Sequence, residues 1–175
     1  MNQRQQAQLC TLENVASVDN LFRAASKARL GKSRRPDVED WWLRRETELL
    51  ALREELLSGA YRPGGYRFFE VREPKRRLIA AAPFRDRVVH HALCNRLAPV
   101  LARRFIARSF SCQIGKGTTA ARECCRQLTN LYRYVLKCDV RKFFPNLDHE
   151  ILYAKLAALV RCDGVRTLMR KILAS

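Results

Sequence analysis

Asp139 is the residue from which a chemical reading of this chain starts. It stands in the stretch Tyr134-Val135-Leu136-Lys137-Cys138-Asp139-Val140-Arg141-Lys142-Phe143-Phe144-Pro145-Asn146-Leu147-Asp148-His149. Tyr134 to Cys138 is a short run of strand-forming residues, which puts Asp139 at the C-terminal end of a strand. Two aromatics and Pro145 follow, and Asp148 is placed to cap a helix opening at His149. A carboxylate at a strand end, beside cations and flat rings, suits metal-assisted phosphoryl transfer, because Mg2+ is held by one or two carboxylates plus substrate phosphates. Taken alone, the same residue reads as an aspartate that caps a turn. The rest of the chain weighs between the two.

The chain has 175 residues with a formal net charge of +17, from 34 basic and 17 acidic side chains. That length makes one domain or part of a larger one. Such an excess of one sign repels itself unless a polyanion is the partner, so nucleic acid is the first inference and an anionic membrane surface the second. No apolar run is long enough to span a bilayer, and Met1 to Gln6 lacks a signal-peptide core, which places the protein in the cytoplasm. The seven cysteines form no CxxC pair; they read as reduced and mostly buried, with Cys94, Cys112 and Cys138 inside apolar stretches. His90-His91 has no cysteine at zinc spacing and is not read as a metal site.

The positioning elements follow in order. Residues 1–10 are polar and read as frayed. Thr11 caps a helix with Val15, Val18, Phe22 and Ala25 on one face, ending near Leu30 and Gly31. A basic loop, Gly31-Lys32-Ser33-Arg34-Arg35-Pro36, leads into a helix from Pro36 to about Ser58, striped by Val38, Trp42, Leu49, Leu52 and Leu56 and stopped at Gly59. After the turn Tyr61-Arg62-Pro63-Gly64-Gly65, two strands, 66–72 and 76–81, form a hairpin joined by Glu73-Pro74-Lys75. Its cations Arg67, Arg72, Lys75, Arg76 and Arg77 alternate with Tyr66, Phe68 and Phe69. This suits phosphates and bases together, the alternative being a merely solvated charged face. Pro83 opens a helix that Pro99 interrupts, and Phe110 to Ile114 reads as a short strand. Gly115-Lys116-Gly117-Thr118 is either a phosphate-approach loop before a helix or a simple turn with Thr118 as N-cap. A helix spans 119–131. After the Asp139 strand come a helix from His149 to about Val160, a turn at Asp163-Gly164 and a last helix. The fold class is α+β.

Together these segments resemble a bacterial reverse transcriptase, an RNA-directed DNA polymerase. The residues that carry the resemblance run from Tyr61-Arg62-Pro63-Gly64 through Glu73-Pro74-Lys75-Arg76-Arg77-Leu78-Ile79-Ala80-Ala81-Ala82-Pro83-Phe84-Arg85-Asp86-Arg87-Val88-Val89-His90-His91-Ala92-Leu93 and Gly115-Lys116-Gly117-Thr118 to Tyr134–His149, with Lys32-Ser33-Arg34-Arg35-Pro36 upstream. The wording is most like the enzymes of diversity-generating retroelements. The resemblance implies the fingers and partial palm of a right-hand polymerase: an N-terminal helical extension over 1–60, fingers over 61–133, and the start of the palm, with its first strand, over 134–175. It implies two Mg2+ ions, an RNA template, a DNA or RNA primer and dNTPs, and the likeness to diversity-generating retroelements adds a small basic accessory protein as a partner. Asp139 matches the first catalytic aspartate, with the Val140 carbonyl as a further metal ligand. Phe144 matches the ring that excludes a ribose 2′-hydroxyl. Arg76 matches the finger arginine on the triphosphate, and Arg72 its companion, with Lys75 as the substitute. Arg67, Arg77, Arg85, Arg87 and Lys116 are the implied nucleic-acid contacts.

The family also requires an aromatic followed after one residue by two aspartates, and no two aspartates are adjacent in this sequence. The expectation is therefore an N-terminal fragment that does not polymerise by itself. A catalytically inert RNA-binding module is the alternative function, and a structural partner in a complex the third.

Overall fold

Capping chemistry sets where the first helices begin. The structure, a computed structural model, describes residues 10–72 and 74–175. The polar start expected over residues 1–10 lies outside the described residues as far as residue 9, and so does Glu73 of the hairpin connection. Cys10 is buried. The Thr11 hydroxyl accepts from the Asn14 N–H and opens α1 (Leu12–Val15). Ser17 accepts from the Asn20 N–H and opens α2 (Val18–Arg29). The one helix expected here is thus two, because an N-cap in extended backbone restarts the ladder. The restart also turns the apolar face. Leu21, Ala24, Ala25 and Ala28 are buried, while Val18 and Phe22 are each 45% exposed.

The next expected helix also divides, into α3 (Pro36–Leu43) and α4 (Arg45–Leu57), at Arg44 with φ −98° and ψ 14°. The break rotates the stripe by one residue, so Trp41 rather than Trp42 enters the core, where it meets the Phe84 ring edge-on at 4.9 Å. Trp42 lies instead under the guanidinium of Arg29, 4.6 Å away. Strands β1 (Arg67–Arg72) and β2 (Arg76–Ala81) pair antiparallel, with Arg72 opposite Arg76 and Arg67 opposite Ala81. Helix α5 (Phe84–Ala102) contains Pro99 and continues past it. Pro99 is exposed and within a turn of the helix end, where one missing intrahelical bond is cheap. Three helices remain: α6 (Thr118–Leu131), α7 (His149–Ala157) and α8 (Asp163–Leu173). Asp163-Gly164, expected as a turn, forms the first turn of α8. A Cβ on Gly164 would stand 2.8 Å from Leu12 Cδ2, so the glycine there permits close packing of α8 on α1.

Two compact units result, residues up to Ala98 with His149–Ser175, and Pro99–Asp148. The first holds the core, which includes Leu21, Leu52, Val88, Val89, Val165 and Met169. Its buried Asn20 donates from Nδ2 to the carbonyls of Val15 and Ala92, at 2.8 and 3.0 Å, tying α2 to α5. In the second unit no residue is buried. The strands expected at Phe110–Ile114 and Tyr134–Cys138 are irregular backbone, so the first palm strand is corrected to an unpaired segment. A strand exists only by pairing, and no other chain segment offers it a ladder among the described residues. The cysteines are free as expected but not mostly buried: Cys94, Cys112, Cys125 and Cys138 are exposed. Among the described residues the fold is mixed α and β, eight helices and one two-stranded antiparallel sheet. None of these helices is long and apolar enough to cross a membrane.

Candidate nucleic-acid interface

Strand pairing sorts the hairpin residues onto two faces, because directly opposed residues share a side. One face carries Phe68, Glu70 and Arg72 from β1 with Arg76, Leu78 and Ala80 from β2. It is open: Phe68 is 63% and Leu78 68% exposed. The other carries Arg67, Phe69, Val71, Arg77, Ile79 and Ala81, of which Val71, Ile79 and Ala81 are partly covered. Lys75 lies exposed at the tip. On the open face the Glu70 carboxylate accepts from Arg76 Nε and Nη2 at 2.9 and 2.6 Å, and Arg72 Nη2 stands 3.9 Å from it. Glu70 is thus a built-in competitor for the two arginines expected to grip a triphosphate. The alternation of β1 could have revealed it, since Glu70 and Arg72 are two apart.

The base of the hairpin is fastened by a buried carboxylate. Asp86 accepts from the Tyr61 hydroxyl at 2.8 Å and from the Gly64 N–H at 2.7 Å. Burial and this bond push the Tyr61 hydroxyl well above its usual pKa, so it keeps the proton it donates. A Cβ on Gly64 would come within 3.1 Å of Pro83 and 3.3 Å of Asp86, so any larger residue there would require those side chains to yield. This fastening has no signature in the sequence pattern alone. Arg85 is engaged by Glu55 and lies 5.4 Å from the Tyr61 ring centre, an intramolecular position. Arg67 and Arg87 both face a cavity beneath the hairpin.

In the second unit Lys116 donates to the carbonyls of Ala107 and Ser109, at 2.7 and 3.1 Å, and so closes the loop before α6. The cap of α6 is Gly117, at φ +94°, and Thr118 is the first helical residue, which corrects the reading of Thr118 as N-cap. Asp139 and Val140 are exposed in irregular backbone. A tight turn follows, closed by Asn146 N–H to the Lys142 carbonyl at 3.1 Å, with Lys142 at φ +49°. It presents Phe144, 83% exposed, edge-on to the half-exposed Phe143 at 5.3 Å. Tyr134 to Leu136 border an open apolar cleft of about 550 Å³ with Ala121, Cys124 and Leu128 of α6.

The magnesium implied by the resemblance can be tested against this donor set. Two divalent ions about 3.5–4 Å apart need several carboxylates. Among the described residues no cluster of three or more His, Cys, Asp or Glu side chains could hold a metal ion. Asp139 is flanked in sequence by Lys137, Arg141 and Lys142. One carboxylate among three cations does not fit two magnesium ions without further acidic groups. The expected site residues divide between the units: Arg67, Arg72, Lys75, Arg76, Arg77, Arg85 and Arg87 in the first, Lys116, Asp139, Val140 and Phe144 in the second. No family model matches the chain, and no curated protein matches it.

Proposed function

We propose that this chain supplies the RNA-gripping fingers and one catalytic carboxylate segment of an RNA-directed DNA polymerase, and that by itself it binds RNA without extending a primer. The observation that supports this most is the solvated hairpin, where Arg72 and Arg76 share a face with exposed Phe68 and Leu78, Lys75 stands at the tip and Arg77 on the opposite face, in a chain of net charge +17. Guanidinium groups meet phosphates, exposed rings stack on bases, and neither needs a metal. In the complete site Arg76 and Arg72, with Lys75, would hold the triphosphate. Asp139 with the Val140 carbonyl would give one part of the metal coordination, and the Phe144 ring would lie against the sugar.

Purified chain should bind single-stranded RNA with strong salt dependence. With four or five cations on phosphates, log affinity against log salt should fall with a slope of roughly −3. Reversing the charge of Arg72 and Arg76 together should flatten that slope by more than about one unit. In the same preparation, primer extension with Mg2+ should be absent. Extension by the purified chain would mean a second acidic site elsewhere. Absent or salt-independent binding would remove the RNA reading.

A further inference from the structure

A cavity of about 430 Å³ lies at the foot of the hairpin, wholly within the first unit, and its charged lining is three arginines against one carboxylate. Arg35 comes from the loop before α3, Arg67 from the start of β1 and Arg87 from the first turns of α5. Asp37 is the carboxylate. It takes Arg35 Nε at 3.2 Å and stands 3.9 Å from Arg87 Nη2, and it is itself half exposed. Arg87 is mostly enclosed, with 18% of its side chain exposed, and its buried Nε has no hydrogen-bond partner. Three chain segments far apart in sequence therefore bring guanidinium groups to one enclosure, with donors left over.

Leaving a buried N–H unpaired costs free energy, and two further cations beside it add repulsion. Burial, together with Arg35 and Arg67, holds the Arg87 guanidinium below its usual pKa despite Asp37. A phosphate oxyanion in the cavity would offset both costs. Arginine forks match the oxygens of a phosphate in pairs, which a lysine ammonium cannot do. The cavity also adjoins the start of α3, where Pro36 occupies the first turn and no side chain caps the helix. The positive end of that helix adds to the field.

We infer that this cavity is a phosphate site, formed by Arg35, Arg67 and Arg87, that seats one phosphoryl group at the base of the hairpin. It is separate from the tip cations Arg72 and Arg76. The inference rests on the polynucleotide reading only for the molecule to which the phosphate is attached, a backbone phosphodiester or a free nucleotide.

The test is thermal unfolding of the purified chain with inorganic phosphate or pyrophosphate, against chloride at equal ionic strength. Wild type and the tip control Arg76→Gln should be stabilised alike. Arg35→Gln and Arg67→Gln, both at the solvent side, should weaken the apparent phosphate affinity at least about fivefold. Arg87→Lys, which keeps the charge and loses the fork, should weaken it comparably. No stabilisation of wild type by phosphate, or equal stabilisation of Arg35→Gln and Arg67→Gln, overturns the site. Competition separates the sources. If single-stranded RNA displaces phosphate, the group is a backbone phosphodiester; if only a nucleoside triphosphate does, it is a nucleotide. Both results support the site. Loss of RNA binding with phosphate stabilisation intact would sink the RNA reading alone, whereas intact RNA binding without a phosphate effect would sink this inference alone.

Discussion

His90 shows how one side chain can couple this fold to pH. It sits on α5 beside the buried Asp86, and its Nε2 is buried without a partner. Burial lowers its pKa, opposed by Asp86 and reinforced by His91; burial and nearby cations lower His91 as well. The unfolded chain therefore takes up protons more readily than the folded one as pH drops through about 6.5. That stability is fully present above the unfolded pKa and is lost on acidification. The unfolding midpoint should thus fall between about pH 7.5 and 5.5, and His90→Gln should make the fall shallower. An equal fall in the variant would assign the effect to other groups. Asp139 and Phe144 were found in the sequence as chemistry-bearing types, and both lie at the surface. Arg35 was legible only as part of a basic loop, since its convergence with Arg67 and Arg87 is a product of folding.

The hairpin is the element on which the sequence and the structure agree best. Turn residues, alternation and cation spacing fix it locally, and its strands lie within one residue of their expected bounds. Helices failed where a neighbour decided the outcome. Ser17 and Arg44 each split an apolar run whose periodicity looked continuous, and each split changed which aromatic or aliphatic residue turned inward. Tyr134–Cys138 failed for the opposite reason: strand-forming residues are a preference, and pairing has to come from elsewhere. The hairpin also carries its own restraint in Glu70. Replacing that carboxylate by Glu70→Gln should release Arg76 and Arg72 and tighten RNA binding at low salt roughly two- to fivefold, the equivalent of about 0.4–1 kcal/mol for an exposed pair. Weaker binding in this variant would mean that Glu70 positions Arg76 for the ligand and does not compete with it.

Across the whole molecule, stability is divided unevenly. The first unit has the core, whereas α6 in the second buries none of its residues. Hydrogen bonds shielded by a core open only with it, and those on a solvated helix open alone. Amides of α6 should therefore exchange at least about two orders of magnitude faster than those of α2 and the Val88–Leu93 part of α5. Equal protection would indicate that α6 is covered in solution. A different consequence follows from the stitching of α8 to the first unit. Lys171 Nζ donates to the carbonyls of Gly59 and Tyr61, at 2.5 and 3.2 Å, and Gly164 lies against Leu12. The segment that closes this core is thus made after every other element packed in it. Until Val165, Leu168 and Met169 have cleared the exit tunnel, the nascent chain carries a finished hairpin and an open apolar seam, which makes that interval the one in which a chaperone has something to hold.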